Sequence, residues 1–223
     1  MKNSLNHCAY VDKGLRLNFQ ANENNQLLTS VRPCCMTHNK KIPQDALQYL
    51  EVDAQNILTH PTRIHFQKWF GKRKNSVHLH PACINCTTLE KAKVSSHRTR
   101  MNFVEQTSKE FDFLRLDVNL SNQCNLACVF CNSKASSLIE TLMTKYEQAE
   151  LPEHWKSKVD TQPKSEDIAN LVADLLKTYK IKSLKIIGGE PFLAENWNPI
   201  EKVLDEIDCS SLELEITTNG TIM

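Results

Sequence analysis

The sequence predicts an α/β fold in its second half, preceded by a small Cys-rich α+β module. From residue 111 onward, apolar strand segments alternate with helical segments in the order β-α-β-α-β. Strands separated by helices pair in parallel, so residues at their carboxyl ends share one edge of a sheet. Five of the nine cysteines lie before residue 87. We therefore expect two regions, residues 1–105 and 106–223.

Composition is that of a globular protein, with 40% hydrophobic and 24% charged residues among 223. Neither an apolar stretch of membrane-spanning length nor a secretory signal is readable, so we expect a cytoplasmic protein. An odd number of cysteines without a secretory signal argues against a disulfide framework and favours metal binding.

Charge is distributed unevenly along the chain. Residues 1–111 hold sixteen Lys and Arg against eight Asp and Glu, and residues 112–223 hold eleven against eighteen. The resulting net charges of +8 and −7 indicate two lobes that attract each other, or a basic lobe that meets an acidic partner. A solvated basic face around residues 72–74 explains the pattern equally well.

The first half predicts short elements. Leu15, Leu17 and Phe19 alternate before a polar turn at 21–26, which together with residues 27–31 predicts a hairpin. A short helix is expected over 61–70, with Gly71 and the basic residues at its C-terminal end. Residues 87–110 are polar, and we expect the connection between the two regions there.

The second half predicts strands over 113–120, 183–187 and 212–217. Helices are expected from about Lys134, from a cap at Ser165, and from near Asn198 with Pro199 in its first turn. Residues 147–164 indicate a long loop or an insertion. The helix after Ser165 has one apolar face, formed by Ile168, Leu171, Val172, Leu175, Leu176 and Tyr179.

Three cysteines follow the first of these strands with the spacing C-x3-C-x2-C: Cys124, Cys128 and Cys131. Three thiolates so placed can reach three corners of one iron–sulfur cube. No fourth cysteine lies close in sequence, so one iron stays open, as a catalytic site requires. A structural zinc site is the alternative on these residues alone.

Two motifs resemble those of the radical SAM (S-adenosylmethionine) superfamily. The loop Cys124-Asn-Leu-Ala-Cys128-Val-Phe130-Cys131 is similar to its signature loop, and Gly188-Gly189-Glu190-Pro191 is similar to its glycine-rich turn after the second strand. The resemblance implies a partial (β/α) barrel, of which this chain holds the first three strands. It also implies a [4Fe-4S] cluster whose open iron is chelated by SAM. One electron then splits SAM into methionine and a 5′-deoxyadenosyl radical, which takes a hydrogen atom from the substrate.

The same resemblance implies roles for individual residues. Cys124, Cys128 and Cys131 are expected to bind the cluster, and Phe130 to lie by the adenine of SAM.

The glycine turn and the third strand are expected to contact the cofactor. Without side chains, Gly188 and Gly189 let the backbone approach the methionine part of SAM, and Glu190, followed by Pro191, can accept a hydrogen bond from its ammonium group. Asn219, after the third strand, is expected to face SAM or the substrate, although Asn-Gly is also a common turn pair.

The cysteines of the first half are Cys8, the adjacent pair Cys34 and Cys35, and Cys83 with Cys86. Their layout resembles the auxiliary-cluster module called twitch, a relative of SPASM, and implies an auxiliary [4Fe-4S] cluster with Cys34 as the preferred ligand of the pair. Zinc bound by the same cysteines stays an alternative.

Three further residues bear on metal binding. His78 and His80 flank the pair Cys83 and Cys86 and can substitute as ligands, although surface positions are more usual for such histidines. Cys209 stands apart and is expected to be a buried free thiol.

The implied protein is a radical SAM enzyme with a flavodoxin or ferredoxin as electron donor and an unknown substrate, with a peptide or protein as one possibility. Because the superfamily core has about six βα units, we expect the chain to be a fragment, or half of a split enzyme, with weak or no activity. The alternatives are a zinc module whose basic lobe binds nucleic acid, and an electron-transfer protein. Neither membrane nor nucleic acid is expected as a partner.

Overall fold

A five-stranded sheet runs through both halves of the chain. The computed structural model describes residues 7–72, 79–146, 163–193 and 198–221, so most of the loop expected at 147–164, and His78, lie outside the described residues. The elements are α1 (Ala9–Lys13), β1 (Gly14–Ala21), β2 (Leu27–Arg32), α2 (Pro61–Lys72), α3 (Ile84–Lys91), α4 (His97–Gln106), β3 (Arg115–Asn119), α5 (Ser137–Lys145), α6 (Ser165–Thr178), β4 (Ser183–Ile187), α7 (Asn198–Glu206) and β5 (Glu213–Ile216).

The strand order is β2-β1-β3-β4-β5. The hairpin β1–β2 is antiparallel, as its alternation and polar turn predicted. Strands β3, β4 and β5 are parallel neighbours and confirm the expected β-α-β-α-β order. The sequence did not predict that β1 pairs in parallel with β3, with Leu15 opposite Leu116. The sheet therefore crosses the expected boundary at residue 105, although the division itself stays a prediction.

One face of the sheet carries the main apolar core. Alternate strand residues such as Leu17, Leu116 and Leu184 are fully buried there, against α6 and α7. Burying each such side chain contributes about 1.5 to 3 kcal/mol. The predicted apolar face of α6 is confirmed, because its five helical members are buried and Tyr179 packs partly buried against them. Ser165, however, lies inside the first turn, and Lys164 takes the N-cap position.

A second, smaller core lies under α1 and α2. The polar segment 87–110 forms the end of α3 and all of α4, which starts at a capping box between Ser96 and Thr99. Asn102 accepts a hydrogen bond from the backbone of Ala9 at 2.8 Å and donates one to His7 at 2.9 Å. Polar side chains thus attach α4 to α1, which explains why this segment lacks an apolar face.

Among the described helices, none has the length and the apolar character needed to cross a bilayer.

Candidate active site

The three-cysteine loop connects β3 to α5 at the carboxyl edge of the sheet. Two serines at the start of α5 fix it. Ser136 caps the helix and donates to the carbonyl of Leu126 at 2.8 Å. The hydroxyl of Ser137 accepts from the backbone N–H of Cys124 at 3.1 Å. The loop backbone is therefore anchored although its surface is open.

The loop presents its thiols toward solvent. Cys124, Cys128 and Cys131 are all free and partly exposed, and the backbone N–H of Cys131 donates to the carbonyl of Cys128 at 2.9 Å. Phe130 is 87% exposed, so its ring is available to a ligand rather than packed in the core.

Within the described residues, no three Cys, His, Asp or Glu side chains are grouped so as to hold a single metal ion. An iron–sulfur cube needs wider spacing, because each cysteine binds a different iron. Three thiols on one anchored loop are the donor set that such a cluster takes, and we therefore regard them as a fitting site for it.

The glycine turn packs directly against the start of this loop. Gly188 and Gly189 have φ angles of +91° and +51°. A Cβ atom on Gly189 would lie 2.2 Å from the carbonyl oxygen of Gln123, the residue before Cys124. That carbonyl accepts from the backbone N–H of Glu190 at 2.6 Å. The two motifs are thus in backbone contact, and only glycine permits this approach.

Glu190 is fully buried, and its carboxylate is used within the protein. It accepts from the backbone N–H of Asn219 at 2.6 Å, from the hydroxyl of Thr218 at 2.7 Å and from the backbone N–H of Phe192 at 3.2 Å. Burial acts to raise the pKa of Glu190, but these three hydrogen bonds outweigh it and lower the pKa. Glu190 therefore connects the end of β4 to the end of β5. Its expected contact with the SAM ammonium group stays a prediction.

Asn219 lies beside the cysteine loop. Its side-chain amide donates to Asn125 at 2.9 Å and points at the sulfur of Cys124 from 3.9 Å. Pro191 is buried and starts a short 3₁₀ turn, Pro191–Leu193. The structure thus gathers the predicted residues of three strand ends at one place.

A second group of thiols lines one small cavity between α1, the turn after β2, and α3. It contains Cys8, Cys34, Cys83 and Cys86. Burial is the main cause that raises the pKa of Cys8 to about 12 and that of Cys34 to about 11, with smaller contributions from neighbouring thiolates. A cationic metal centre offsets these penalties, because a coordinating thiol is deprotonated outright. Thiols are the donors that a cluster or zinc takes, but among the described residues no three of them are close enough together to hold a single metal ion.

The adjacent Cys35 lies outside that cavity. Its side chain is exposed, with its sulfur 4.0 Å from Nε2 of His97. Burial of its sulfur and the nearby Asp117 raise the pKa of Cys35, whereas Arg16 lowers it. Cys35 therefore lies beside His97, while Cys34 lines the cavity with the other thiols.

His80 is 2% exposed, which contradicts the expectation of a surface position. Its Nδ1 accepts from the backbone of Ala82 at 3.0 Å, and its Nε2 lies 2.9 Å from Nε2 of His65. Both ring nitrogens are therefore engaged. The hydrogen bond from Ala82 makes His80 the N-cap of the turn Pro81–Cys83. Cys209 is free but only partly buried.

Several residues that build the site were missed from the sequence. Ser136 and Ser137 precede an apolar helical run, which is a recognisable capping signal. Gln123 acts through its backbone carbonyl, which no sequence pattern marks.

At the carboxyl ends of the parallel strands β3, β4 and β5, three thiols on one loop lie against a glycine turn. Residues 118–223 match the family model described as the Radical SAM superfamily, which covers just under half of the chain. The match supports the radical SAM superfamily for this region, and with it an enzyme class that cleaves SAM at a [4Fe-4S] cluster.

Two curated relatives are similar to the chain, and both are named Probable GTP 3',8-cyclase. The protein from Methanocella arvoryzae is 24% identical and that from Sulfurisphaera tokodaii 27% identical, each over 108 residues. The alignment covers 48% of this chain and 27% of each relative. The chain thus spans about a quarter of the length of these relatives. No solved structure matches the chain significantly.

Proposed function

We propose that the chain is a radical SAM enzyme that reductively cleaves SAM to start hydrogen-atom abstraction from a substrate. One observation carries the proposal: the carbonyl of Gln123, next to Cys124, contacts the turn at Gly189 and accepts from Glu190. The cysteine loop and the glycine turn therefore form one unit, which a pair of coincidental motifs would not do.

The residues of this unit have distinct tasks. Cys124, Cys128 and Cys131 hold the cluster, and the bare backbone of Gly188 and Gly189 faces the methionine part of SAM. Phe130, exposed at the rim, offers its face to the adenine. When bound, the cluster supplies the electron that splits SAM into methionine and a 5′-deoxyadenosyl radical.

Glu190 and Asn219 keep the strand ends in place. The buried carboxylate holds the backbone N–H of Asn219, whose amide then reaches Asn125 in the cysteine loop. We assign Glu190 as a positioning residue and Asn219 as a cofactor or substrate contact.

We further propose an auxiliary [4Fe-4S] cluster bound by Cys8, Cys34, Cys83 and Cys86, which relays electrons or holds substrate. The common cavity of these four thiols supports it. An electron donor such as a flavodoxin or ferredoxin is proposed on the family resemblance alone.

The substrate is a molecule that reaches the carboxyl edge of the sheet. The resemblance to enzymes with auxiliary clusters suggests a peptide or protein, whereas the name of the curated relatives refers to GTP. The chain covers only about a quarter of the length of these relatives.

The test is anaerobic reconstitution of the 223-residue chain with iron and sulfide, followed by metal analysis. SAM is then added to the reduced protein, and the cluster EPR spectrum and 5′-deoxyadenosine are measured. We expect iron to bind and SAM to change the spectrum. Alanine at Cys124, Cys128 and Cys131 should abolish both the spectral change and the product.

The matched control is alanine at Cys83 and Cys86, which should remove iron but preserve the response to SAM in part. Zinc without iron at positions 124, 128 and 131 would contradict the proposal and favour a structural metal module. Iron uptake with no SAM response would favour an electron-transfer protein.

A further inference from the structure

The face of the sheet opposite α6 and α7 is charged. Strand register places one row of side chains across all five strands: Arg32, Arg16, Asp117, Lys185 and Glu215. Each alternates with apolar core residues, so the row points away from the main core. Charged side chains on a partly buried sheet face are costly unless each charge has a partner.

The two carboxylates of this row are already engaged. Asp117 accepts from Nε of Arg115 at 2.7 Å, and Glu215 bonds both Arg115, at 2.8 Å, and Lys185. Burial lowers the pKa of Arg16 and the nearby Asp117 carboxylate acts to raise it, but among the described residues Arg16 forms no hydrogen bond to Asp117. The anions on this face are therefore used by other cations.

Arg16 and Arg32 face each other directly across the antiparallel hairpin. Like charges in this position repel and destabilise the strand pair. Burial lowers the pKa of Arg32, and the nearby Arg16 lowers it further. Arg32 is already engaged, because its Nη1 donates to the carbonyl of Thr37 at 3.1 Å and its Nη2 to Oδ1 of Asn18 at 2.5 Å. A bound anion is therefore the simplest source of compensation for Arg16.

Unpartnered polar atoms surround this pair. Among the described residues, Nε and Nη1 of Arg16, Nδ2 of Asn18 and Oγ of Ser30 are buried without a hydrogen-bond partner in the protein. Buried polar groups nearly always have partners. Asn18 and Ser30 are opposite each other in the register, two residues beyond Arg16 and Arg32. Four donor or acceptor positions thus gather on one patch of the sheet.

The patch is aligned with the proposed active site. Asn18 and Ser30 lie toward the carboxyl ends of the parallel strands, where the cysteine loop begins. From Arg16 to Asn119, the last residue of β3, the backbone separation is roughly 8 Å, given the usual strand spacing and rise. A ligand on Arg16 can therefore extend to the loop.

We propose that Arg16, with the side chains of Asn18 and Ser30 beside it, binds an anionic group, phosphate or carboxylate, at one end of the substrate, whose other end reacts at the cysteine loop. This inference rests on the proposed function and names the chemical class of the substrate. Planar guanidinium groups suit both oxyanions, because they donate pairs of hydrogen bonds. Both strands lie outside the segment that matches the family model, so the match itself does not assign this site.

The test is calorimetric titration of the 223-residue protein with inorganic pyrophosphate and, separately, with glutarate at constant ionic strength. We expect saturable binding of at least one, and the two probes distinguish a phosphate from a carboxylate group. Arg16→Gln should weaken binding by about tenfold to a hundredfold, the usual effect of losing hydrogen bonds from a charged donor. Arg16→Lys keeps the charge but loses the planar guanidinium group. Its affinity for the anion should lie between those of the unchanged protein and Arg16→Gln.

The control is Lys202→Gln, which removes the same charge from an exposed position on α7, on the other side of the sheet. Its binding should equal that of the unchanged protein. Ser30→Ala provides a second test, because it removes a buried, unpartnered hydroxyl. It should leave the melting temperature unchanged or raised, yet weaken anion binding several-fold.

Absence of binding at millimolar probe, or equal binding by the unchanged protein, Arg16→Gln and Lys202→Gln, would overturn the inference. The titration needs neither SAM nor reductant. A protein that cleaves SAM but ignores both anions contradicts only this inference. One that binds them through Arg16 but takes up no iron at Cys124, Cys128 and Cys131 contradicts only the proposed function.

Discussion

Single residues at the carboxyl edge of the sheet act through backbone contacts as much as through side chains. Gly189 permits contact with the carbonyl of Gln123, and Gly188 leaves no space for a side chain, because a Cβ atom there would lie 1.1 Å from Oδ1 of Asn119. The cost of substitution therefore combines an unfavourable φ angle with a collision. Gly220 has φ +68°, but no atom lies near the position of a Cβ atom. Substitution there therefore involves the unfavourable φ angle without a collision.

We predict that Gly189→Ala destabilises the fold by several kcal/mol and displaces the start of the cysteine loop, because backbone atoms cannot move aside cheaply. Gly220→Ala should cost about 1 to 2 kcal/mol, the conformational contribution alone. Urea unfolding gives these values, and the EPR response to SAM reports the loop.

Gly71→Ala is the matched control, since Gly71 lies in α2 with no atom near its Cβ position. It should stabilise the protein by about 0.5 to 1 kcal/mol. A Gly189→Ala protein as stable as Gly220→Ala would contradict the close contact between the two motifs.

At the scale of elements, the thiol cavity depends on where short helices start. Cys8 is the N-cap of α1, Cys83 that of α3, and Cys86 lies in the first turn of α3. Cys34 follows β2 and lines the cavity with them, whereas Cys35 is exposed beside His97 and lies outside the cavity. The hairpin and the helices thus decide which member of the adjacent pair can join the other three.

We predict that Cys34→Ser lowers the iron content of the reconstituted protein by about half, while Cys35→Ser leaves it unchanged. The reason is that, of these two thiols, only that of Cys34 lines the cavity shared with Cys8, Cys83 and Cys86. Iron and sulfide analysis with Mössbauer spectroscopy checks this. Equal iron loss in both variants would show that the two thiols exchange roles, and unchanged iron in both would exclude a cluster ligated by Cys34.

For the whole molecule, the main consequence is that one sheet joins the two regions. Leu15 and Leu17 of β1 belong to the same buried core as Leu184 of β4 and Leu175 of α6. Parallel pairing of β1 with β3 supplies hydrogen bonds across the expected boundary. Destabilising the hairpin should therefore weaken the strands that position the cysteine loop.

We predict that Leu17→Ala lowers the free energy of unfolding by about 2 to 5 kcal/mol, the usual cost of a cavity in a core. Native-state hydrogen exchange should show reduced protection in β1 and equally in β4, because they share one core. Phe103→Ala, at a side chain 70% exposed on α4, should change stability by less than about 0.5 kcal/mol. Loss of protection confined to β1 and β2 would indicate two independent regions.

The sequence by itself determined the local elements and the chemical motifs. The alternation in β1, the apolar face of α6 and the position of β4 were predictable, because periodicity reflects which residues face a core. The positions of Cys124, Cys128 and Cys131, of the glycine turn and of Asn219 at strand ends followed from the same pattern.

Only the tertiary structure decided which distant groups meet. The parallel pairing of β1 with β3, the buried hydrogen bonds of Glu190, the separation of Cys34 from Cys35 and the opposition of Arg16 and Arg32 all depend on non-local contacts. Such contacts leave no periodic trace along the chain, because they are set by the packing of elements far apart in sequence. The same packing hides polar atoms from water, which a sequence does not record.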